Sequence, residues 1–228
     1  MTSRTLAVVA LGWCCTAWAA QDMVLTPRWK SGLRSTYAVR FSFDAKGLPI
    51  EVTGTAVDTV IAADADGYII ERTMKDTVLK QAGTETRIDD VGVSKFRMYT
   101  NGQLLDILSA KRKTDDLRVA SMTQFIAPDQ GLSVGKGWRI NLKEDAKAGV
   151  KATELVYRIA ARENVRGQDC AKVSVTGSEV KLKGGLKSTG NVWVSVADGR
   201  IVKSAFVLEN SLLSGGQGTS ATIEQELK

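Results

Sequence analysis

The sequence predicts a mainly β protein, in which duplicated antiparallel β units form one curved sheet, an open barrel or a sandwich, with one short helix between the halves. Three observations predict this class. Apolar and polar residues alternate with a period of two, glycine-bearing turns separate the alternating segments, and the pattern recurs weakly in the second half of the chain. Each is typical of antiparallel strands that bury one face.

The N-terminal segment of the 228-residue chain predicts an export signal. Arg4 precedes an apolar run over residues 5–18, and alanines stand at the −3 and −1 positions of a cleavage site before Ala20. The run is too short for a membrane anchor, which needs roughly 20 apolar residues. We therefore expect residues 1–19 to be a cleaved signal peptide and residues 20–228 to be a single soluble β domain, in the periplasm or outside the cell.

The first strand is predicted where Tyr37, Val39, Phe41 and Phe43 alternate with small or polar residues, which places these four side chains on one face. The same alternation predicts further strands between turn sequences such as Asn101-Gly102. These strands cover residues 50–62, 68–75, 94–99, 103–110, 155–162, 170–183, 191–196, 200–209 and 220–227. Each would turn one apolar face towards a common interior.

One segment, residues 114–126, predicts a helix. Thr114 is suited to the N-cap, two aspartates follow it at the positive end of the helix dipole, and a proline at 128 ends the segment. Val119, Met122 and Ile126 would then share one face. Because residues 117, 119 and 121 also alternate, a strand is the alternative. A helix here would lie between the two β units, where it could cover a concave sheet face.

A weak internal repeat relates residues 29–110 to residues 134–210. Each copy has a lead-in with lysine and glycine, then a hairpin, then a second hairpin, in the same order and at nearly constant separation. The landmark pairs are Gly32 with Gly137, Gly67 with Gly167, and Gly102 with Gly199. Two such units either continue edge to edge as a curved sheet with a cavity inside, or pack face to face as a filled sandwich.

The composition argues against catalysis. The chain has no histidine, which removes the commonest general base and most zinc sites, and Cys170 is the single cysteine after residue 19. We expect Cys170 to be a buried small apolar residue, and we predict no catalytic residue, no metal ligand and no cofactor. The net charge is +6, and acidic residues are interspersed among the basic ones, so we do not predict nucleic acid as a partner. Peripheral contact with an anionic membrane is compatible with this charge.

The second copy carries a resemblance to known families. Three segments resemble exported bacterial tandem β-repeat proteins of unknown function. They are the lead-in over residues 134–138 and the strand–turn–strand segments over residues 163–173 and 190–203. At fold level the chain also resembles the lipoprotein-carrier group. That resemblance implies a curved antiparallel half-barrel with helical covers that binds acyl chains, and it carries over no functional residue.

These observations predict an exported non-enzymatic protein that binds an apolar or amphipathic ligand in a concave β scaffold. The candidate ligand-binding residues are Tyr37, Val39, Phe41, Phe43, Met122 and Phe125. In a filled sandwich the same side chains would form a dry core. The alternative function is a structural or interaction module that contacts an envelope component and no small ligand, and a hydrolase with paired carboxylates or a Ser–Lys pair is less favoured.

Overall fold

A computed structural model of the chain shows a large antiparallel sheet that curves around a short helix. It describes residues 22–45, 47–89, 91–108, 114–146, 150–211 and 219–228. The predicted signal peptide and the predicted end of the strand at residues 109–110 lie outside these ranges. In chain order the elements are β1 (Arg34–Ala45), β2 (Leu48–Ala63), β3 (Gly67–Gln81), β4 (Thr84–Ile88), β5 (Val93–Tyr99), β6 (Leu104–Ile107), α1 (Thr114–Thr123), β7 (Gly137–Leu142), β8 (Thr153–Val165), β9 (Gln168–Glu179), β10 (Lys187–Ser195), β11 (Ile201–Glu209) and β12 (Ser220–Leu227).

The sheet has the strand order β6-β5-β3-β2-β1-β12-β11-β10-β9-β8-β7, and β4 pairs with β3 beside this path. The strand pairs are antiparallel, and the sheet is not closed. The predicted fold class is therefore confirmed in its open form, and the sandwich alternative is wrong. We refer to β1–β6 as the first half and to β7–β11 as the second half, because β12 joins them by pairing with both β1 and β11.

Both halves run in the same direction along the sheet, and they share local details. The pairing of β2 with β3 shifts register after Val60, and the pairing of β8 with β9 shifts register after Ile159. The carbonyl oxygens of these two residues accept the N–H groups of Gly32 and Gly135, each at 2.8 Å. The correspondence is compatible with copies over residues 29–110 and 134–210, and the duplication stays a prediction.

The predicted helix is confirmed over Thr114–Thr123, but its predicted end at residue 126 is wrong. The side chain of Gln124 donates to the carbonyl of Ser121 at 2.9 Å and accepts the N–H of Leu104 at 2.7 Å. Further along, the N–H of Ala127 donates to the carbonyl of Asn101 at 2.8 Å. The bonds to Leu104 and Asn101 tie this segment to the first half, and residues 124–127 do not continue the helix.

Three strand predictions also need correction. The sequence analysis missed β4 because its five residues are nearly all exposed and show no alternation of burial. It missed β7 because Trp138 was interpreted as the end of a lead-in over residues 134–138, and the alternation of Trp138 with Ile140 and Leu142 was not used. The predicted strand over 170–183 ends at Glu179, because the N–H of Glu179 bonds to the carbonyl of Leu186 in a turn where Lys181 has a φ of 61°.

The concave face of the second half is filled. Met23 and Leu25 pack there with Phe125 and Ile126 against buried residues of β8, β9 and β10. Two aromatic side chains hold residues 124–127 in place. The indole N–H of Trp138 donates to Ile126 O at 2.9 Å, and the hydroxyl of Tyr157 donates to Gln124 O at 3.1 Å. We call residues 23–27 and 124–127 the plug segments.

Each plug segment is also tied to a hairpin turn. Beside the first segment, the N–H of Arg28 donates to Asp198 O, in the turn between β10 and β11, at 2.9 Å. The second segment bonds to Asn101 O, in the turn between β5 and β6. The segment that leads into the first half is thus fastened to the second half, and the segment that leads into the second half is fastened to the first.

Glycine is required where these segments meet the turns. Gly199 has a φ of 70°, and a Cβ atom on it would lie 2.4 Å from Thr26 O. Gly102 has a φ of 87°, and a Cβ atom on it would lie 2.9 Å from Phe125 O. Any side chain would therefore both strain the turn and push the plug segment away.

The helix α1 is held over the sheet by a buried ion pair. The guanidinium of Arg118 donates two hydrogen bonds to the carboxylate of Glu179, both at 2.8 Å. The same carboxylate accepts the N–H of Leu186 at 2.8 Å. Val119 and Met122 then pack into an apolar cluster with residues of β11 and β12.

Candidate functional site

No segment among the described residues fills the concave face of the first half, and a cavity of about 210 Å³ lies between this face, α1 and the strands β11 and β12. We call this the inner cavity. Its walls are mainly apolar, because strands β2, β3, β5 and β6 contribute Val60, Ile70, Phe96, Met98 and Leu104, and β11 and β12 contribute Phe206 and Ile223. Trp29 and Leu33 from the segment before β1 complete the wall, and Trp29 packs on Tyr68 with ring centroids 5.1 Å apart.

A group of polar side chains crosses the middle of this apolar surface. Arg72 on β3 donates to both carboxylate oxygens of Asp58 on β2, at 2.6 and 2.7 Å, and its guanidinium lies 3.5 Å from the side-chain oxygen of Gln225. It also lies over the ring of Phe96, 5.7 Å from the centroid. Burial alone would lower the pKa of Arg72, but the hydrogen bonds and the charge of Asp58 raise it above its ordinary value. Arg72 and Asp58 therefore compensate each other as an ion pair.

A second arginine, Arg200, lines the cavity at the start of β11. Its terminal nitrogen Nη2 lies 3.6 Å from Asp198 Oδ2, and its side chain is 22% exposed. Its Nε is buried, and no residue in the described part of the chain accepts a hydrogen bond from it. Arg200 thus brings to the cavity a positive charge and a donor that the surrounding protein leaves unused.

Tyr37 on β1 lies among these charges. Its hydroxyl donates to Ile201 O at 3.1 Å. Burial, and secondarily the negative charge of Asp58, raises the pKa of Tyr37 to about 12, while Arg72 and Arg200 act in the opposite direction. The phenol is therefore neutral at physiological pH, and both arginines lie close enough to act on one hydroxyl.

The six residues predicted to bind a ligand occupy different places. Tyr37 lines the inner cavity. Val39, Phe41 and Phe43 lie on the same face of β1 as Tyr37, opposite Gln225, Ile223 and Ala221 of β12, but they are not among the cavity-lining residues. Phe41 and Phe43 pack against the α1 cluster that contains Met122, and Phe125 is buried in the filled second half.

The sequence analysis missed Asp58, Arg72 and Arg200. A signal for two of them was present, because Asp58 alternates with Ala56 and Val60 on the buried face of β2, and Arg72 alternates with Ile70 on that of β3. A charged residue at an apolar position of a half-buried strand needs a partner or a ligand. Arg200 lies beside a turn, where charged residues are common and do not by themselves indicate a binding site.

Two side chains that could take part in chemistry, Asp58 and Cys170, are engaged or buried in the structure. Among the described residues, Asp58 is the carboxylate that lines the inner cavity, and Arg72 holds it in the ion pair described above. Cys170 is fully buried, and burial raises the pKa of its thiol. Across the ranges that the structure describes, no three His, Cys, Asp or Glu side chains group together in a way that could hold a metal ion. In those same ranges no helix has the length and apolar character needed to cross a membrane.

Comparison with known proteins gives distant likenesses. No family model matches the chain. A segment of 148 residues, 64% of the chain, is 24% identical to the AsmA family protein YhjG of Escherichia coli strain K12. The chain spans 21% of the length of that protein.

Two solved structures overlap most of the chain. A lipovitellin structure that describes lipid–protein interactions in that protein covers 87% of this chain and 25% of its own, at 10% identity and a TM-score of 0.48. A DUF1329 family protein from Desulfovibrio piger ATCC 29098 covers 86% of this chain and 85% of its own, at 13% identity and a TM-score of 0.28. At such TM-scores these structures do not establish a shared fold with this chain.

Proposed function

We propose that this chain is an exported binding protein, without enzymatic activity, that holds an apolar or amphipathic ligand in the inner cavity. The observation that carries the proposal is the contrast between the two halves. The second half fills its concave face with the plug segments, whereas the first half leaves about 210 Å³ between its own apolar wall and α1. Protein interiors are ordinarily close-packed, so an unfilled apolar space of this size is a feature to be explained.

Tyr37 is the member of the predicted set that we propose as a direct ligand contact, together with the apolar walls formed by Phe96 and Met98. Val39, Phe41, Phe43, Met122 and Phe125 are proposed to shape the scaffold around it. Export through the signal peptide at residues 1–19 remains part of this proposal, because it places the protein where envelope amphiphiles are present.

A cavity-filling substitution tests the proposal. Ala120 on α1 lines the inner cavity, and Ala120→Phe would occupy part of it. We expect the wild-type protein to bind the neutral apolar dye N-phenyl-1-naphthylamine with a rise in fluorescence, and we expect Ala120→Phe to weaken binding at least roughly tenfold because the space is taken.

The matched control is Ala38→Phe, since Ala38 is exposed on the opposite face of β1. It should bind the dye as the wild type does, and both variants should keep the thermal unfolding transition of a folded protein. Equal dye binding by the two variants would place the dye elsewhere and contradict the proposal. The mass of the protein purified from its native source, measured native and denatured, would reveal any ligand that it carries.

One observation favours the alternative, an interaction module that binds an envelope partner. Tyr99, Leu105 and Leu108 are each more than 40% exposed. Tyr99 and Leu105 lie at the hairpin end of β5 and the edge strand β6, and Leu108 follows the other end of β6. An apolar edge of this kind can add a strand from a partner. A protein that carries no small ligand, and whose crosslinks to a partner are lost on Leu105→Lys, would support this alternative instead.

A further inference from the structure

We infer that the ligand of the inner cavity is a single-chain amphiphile with an anionic oxygen headgroup, phosphate or carboxylate in chemistry, and that Arg200 binds this headgroup. The inference rests on the proposed binding function and names the ligand class for that same cavity.

The acidic and basic groups in the cavity lining are unequal in number. Among the described residues, the lining contains the carboxylate of Asp58 and the guanidinium groups of Arg72 and Arg200. Asp58 and Arg72 compensate each other through two hydrogen bonds of 2.6 and 2.7 Å. The counter-ion of Arg200 is Asp198, which lies 3.6 Å from Nη2 and is not part of the cavity lining. Within the lining, the guanidinium of Arg200 therefore has no matching carboxylate, and a positive charge in largely apolar surroundings favours an anionic ligand.

The hydrogen bonds of Arg200 also favour an anionic headgroup. Asp198 is committed to the turn, because its Oδ1 accepts the backbone N–H of Arg200 at 3.1 Å and its Oδ2 is 3.6 Å from Nη2. This leaves the buried Nε without an acceptor among the described residues. A guanidinium binds a phosphate or carboxylate with a pair of parallel hydrogen bonds, so an anionic headgroup would satisfy both the donor and the charge.

The apolar wall and the volume of the cavity favour a single alkyl chain for the rest of the ligand. Away from the polar group, the wall is formed by apolar side chains that include Ile70, Phe96, Met98 and Leu104. The volume of about 210 Å³ lies below the roughly 300–1,000 Å³ of pockets that enclose drug-sized molecules, which favours one alkyl chain over two. A neutral hydroxyl head could accept one hydrogen bond from Arg200 but would not balance its charge, and a cationic head would repel both arginines.

The test compares ligands that share one chain and differ in the head. Dodecyl phosphate, laurate, dodecanol and dodecyltrimethylammonium are titrated into the wild-type protein, below their micelle-forming concentrations, with dye displacement as the readout. We expect the two anions to bind at least roughly tenfold more tightly than dodecanol, since hydrogen bonds to charged groups are the strong ones. Inorganic phosphate at the same concentrations should not displace the dye, because the chain supplies the apolar contacts.

Substitution of the arginine assigns the preference to a residue. We expect Arg200→Gln to lose the roughly tenfold preference for the anions while dodecanol binding stays unchanged, and we expect Arg200→Lys to retain part of it because the charge remains. The matched control is Arg139→Gln, on the exposed face of the edge strand β7, which should bind all four ligands as the wild type does.

The outcomes separate this inference from the proposed function. Equal binding of anionic and neutral chains by the wild type, a measurement that needs no variant, would overturn the anionic headgroup and leave the binding function standing. Tighter binding of the cation would also overturn it. If no chain binds to a folded wild-type protein, the proposed function itself is wrong. Displacement by inorganic phosphate alone would show a simple anion site and contradict the amphiphile.

Discussion

At the scale of single residues, Tyr37 is the side chain whose protonation the fold controls most visibly. Its hydroxyl is buried beside Asp58 and donates to Ile201 O, and its pKa is raised to about 12. Because the folded-state pKa lies above that of the unfolded chain, about 10, the neutral phenol contributes stability that is fully present below pH about 10. That contribution is lost as the pH rises through about 12.

The Tyr37→Phe variant isolates this effect. At pH about 8 it should be less stable than the wild type by about 1 kcal/mol, because the hydrogen bond to Ile201 is lost. Between pH about 10 and 12 the wild type should lose up to about 2–3 kcal/mol more than the variant, so the difference shrinks and then reverses. Urea unfolding at each pH measures both. Burial also raises the pKa of Tyr157, which the two proteins share, so a constant difference across this range would contradict the prediction.

Residue-level prediction from the sequence succeeded where one face of one strand decides the outcome. Tyr37, Val39, Phe41 and Phe43 share a face because side chains alternate along any extended strand. Whether that face meets a plug or a cavity depends on segments far away in the chain, so only Tyr37 of these four lines the inner cavity. That the Nε donor of Arg200 lacks an acceptor among the described residues depends on three-dimensional contacts, so the alternation of apolar and polar residues in the sequence cannot predict it.

At the scale of elements, α1 depends on one buried ion pair. Arg118→Met would leave the carboxylate of Glu179, whose side chain is 2% exposed, without its charged partner. We expect the free energy of unfolding to fall by about 3–5 kcal/mol, because an uncompensated buried charge is strongly unfavourable. Chemical denaturation followed by circular dichroism measures the change.

The control for this prediction is an exposed ion pair of the same kind. Arg139 pairs with Glu154 on the outer face, where its side chain is 57% exposed, and Arg139→Met should cost about 0–1 kcal/mol. Similar losses for the two substitutions would mean that burial of the Arg118–Glu179 pair does not fix α1, and would remove the reason for treating α1 as a firmly held cover.

Element prediction from the sequence was most accurate for strands with regular alternation and least accurate at ends. Thr114 and the two acids after it mark the start of α1, but its end at Thr123 is set by Gln124, which bonds to β6. Likewise the sequence analysis assigned no strand to β7, because its six residues give only a short alternation, although they pair fully with β8. Long-range hydrogen bonds override local signals in both cases.

At the scale of the whole molecule, the crossed attachment of the plug segments couples the two halves. Leu25 is fully buried in the second half, yet it belongs to the segment that leads into the first half. The sheet is also continuous through β12, so neither half has a free boundary at which it could unfold alone. Both features predict one cooperative unfolding transition.

The Leu25→Ala variant tests this coupling. Deleting a buried leucine side chain costs about 2–5 kcal/mol, and the loss should appear equally in both halves. Trp29 reports on the first half and Trp193 on the second, and Trp138 is kept in every variant because it holds a plug segment. The fluorescence change that is lost in Trp29→Phe then follows the first half during urea unfolding, and the change that is lost in Trp193→Phe follows the second. We expect the two midpoints to coincide and to move down together. If only the Trp193 transition shifts, the halves unfold independently and the attachment of the plug segments does not couple them.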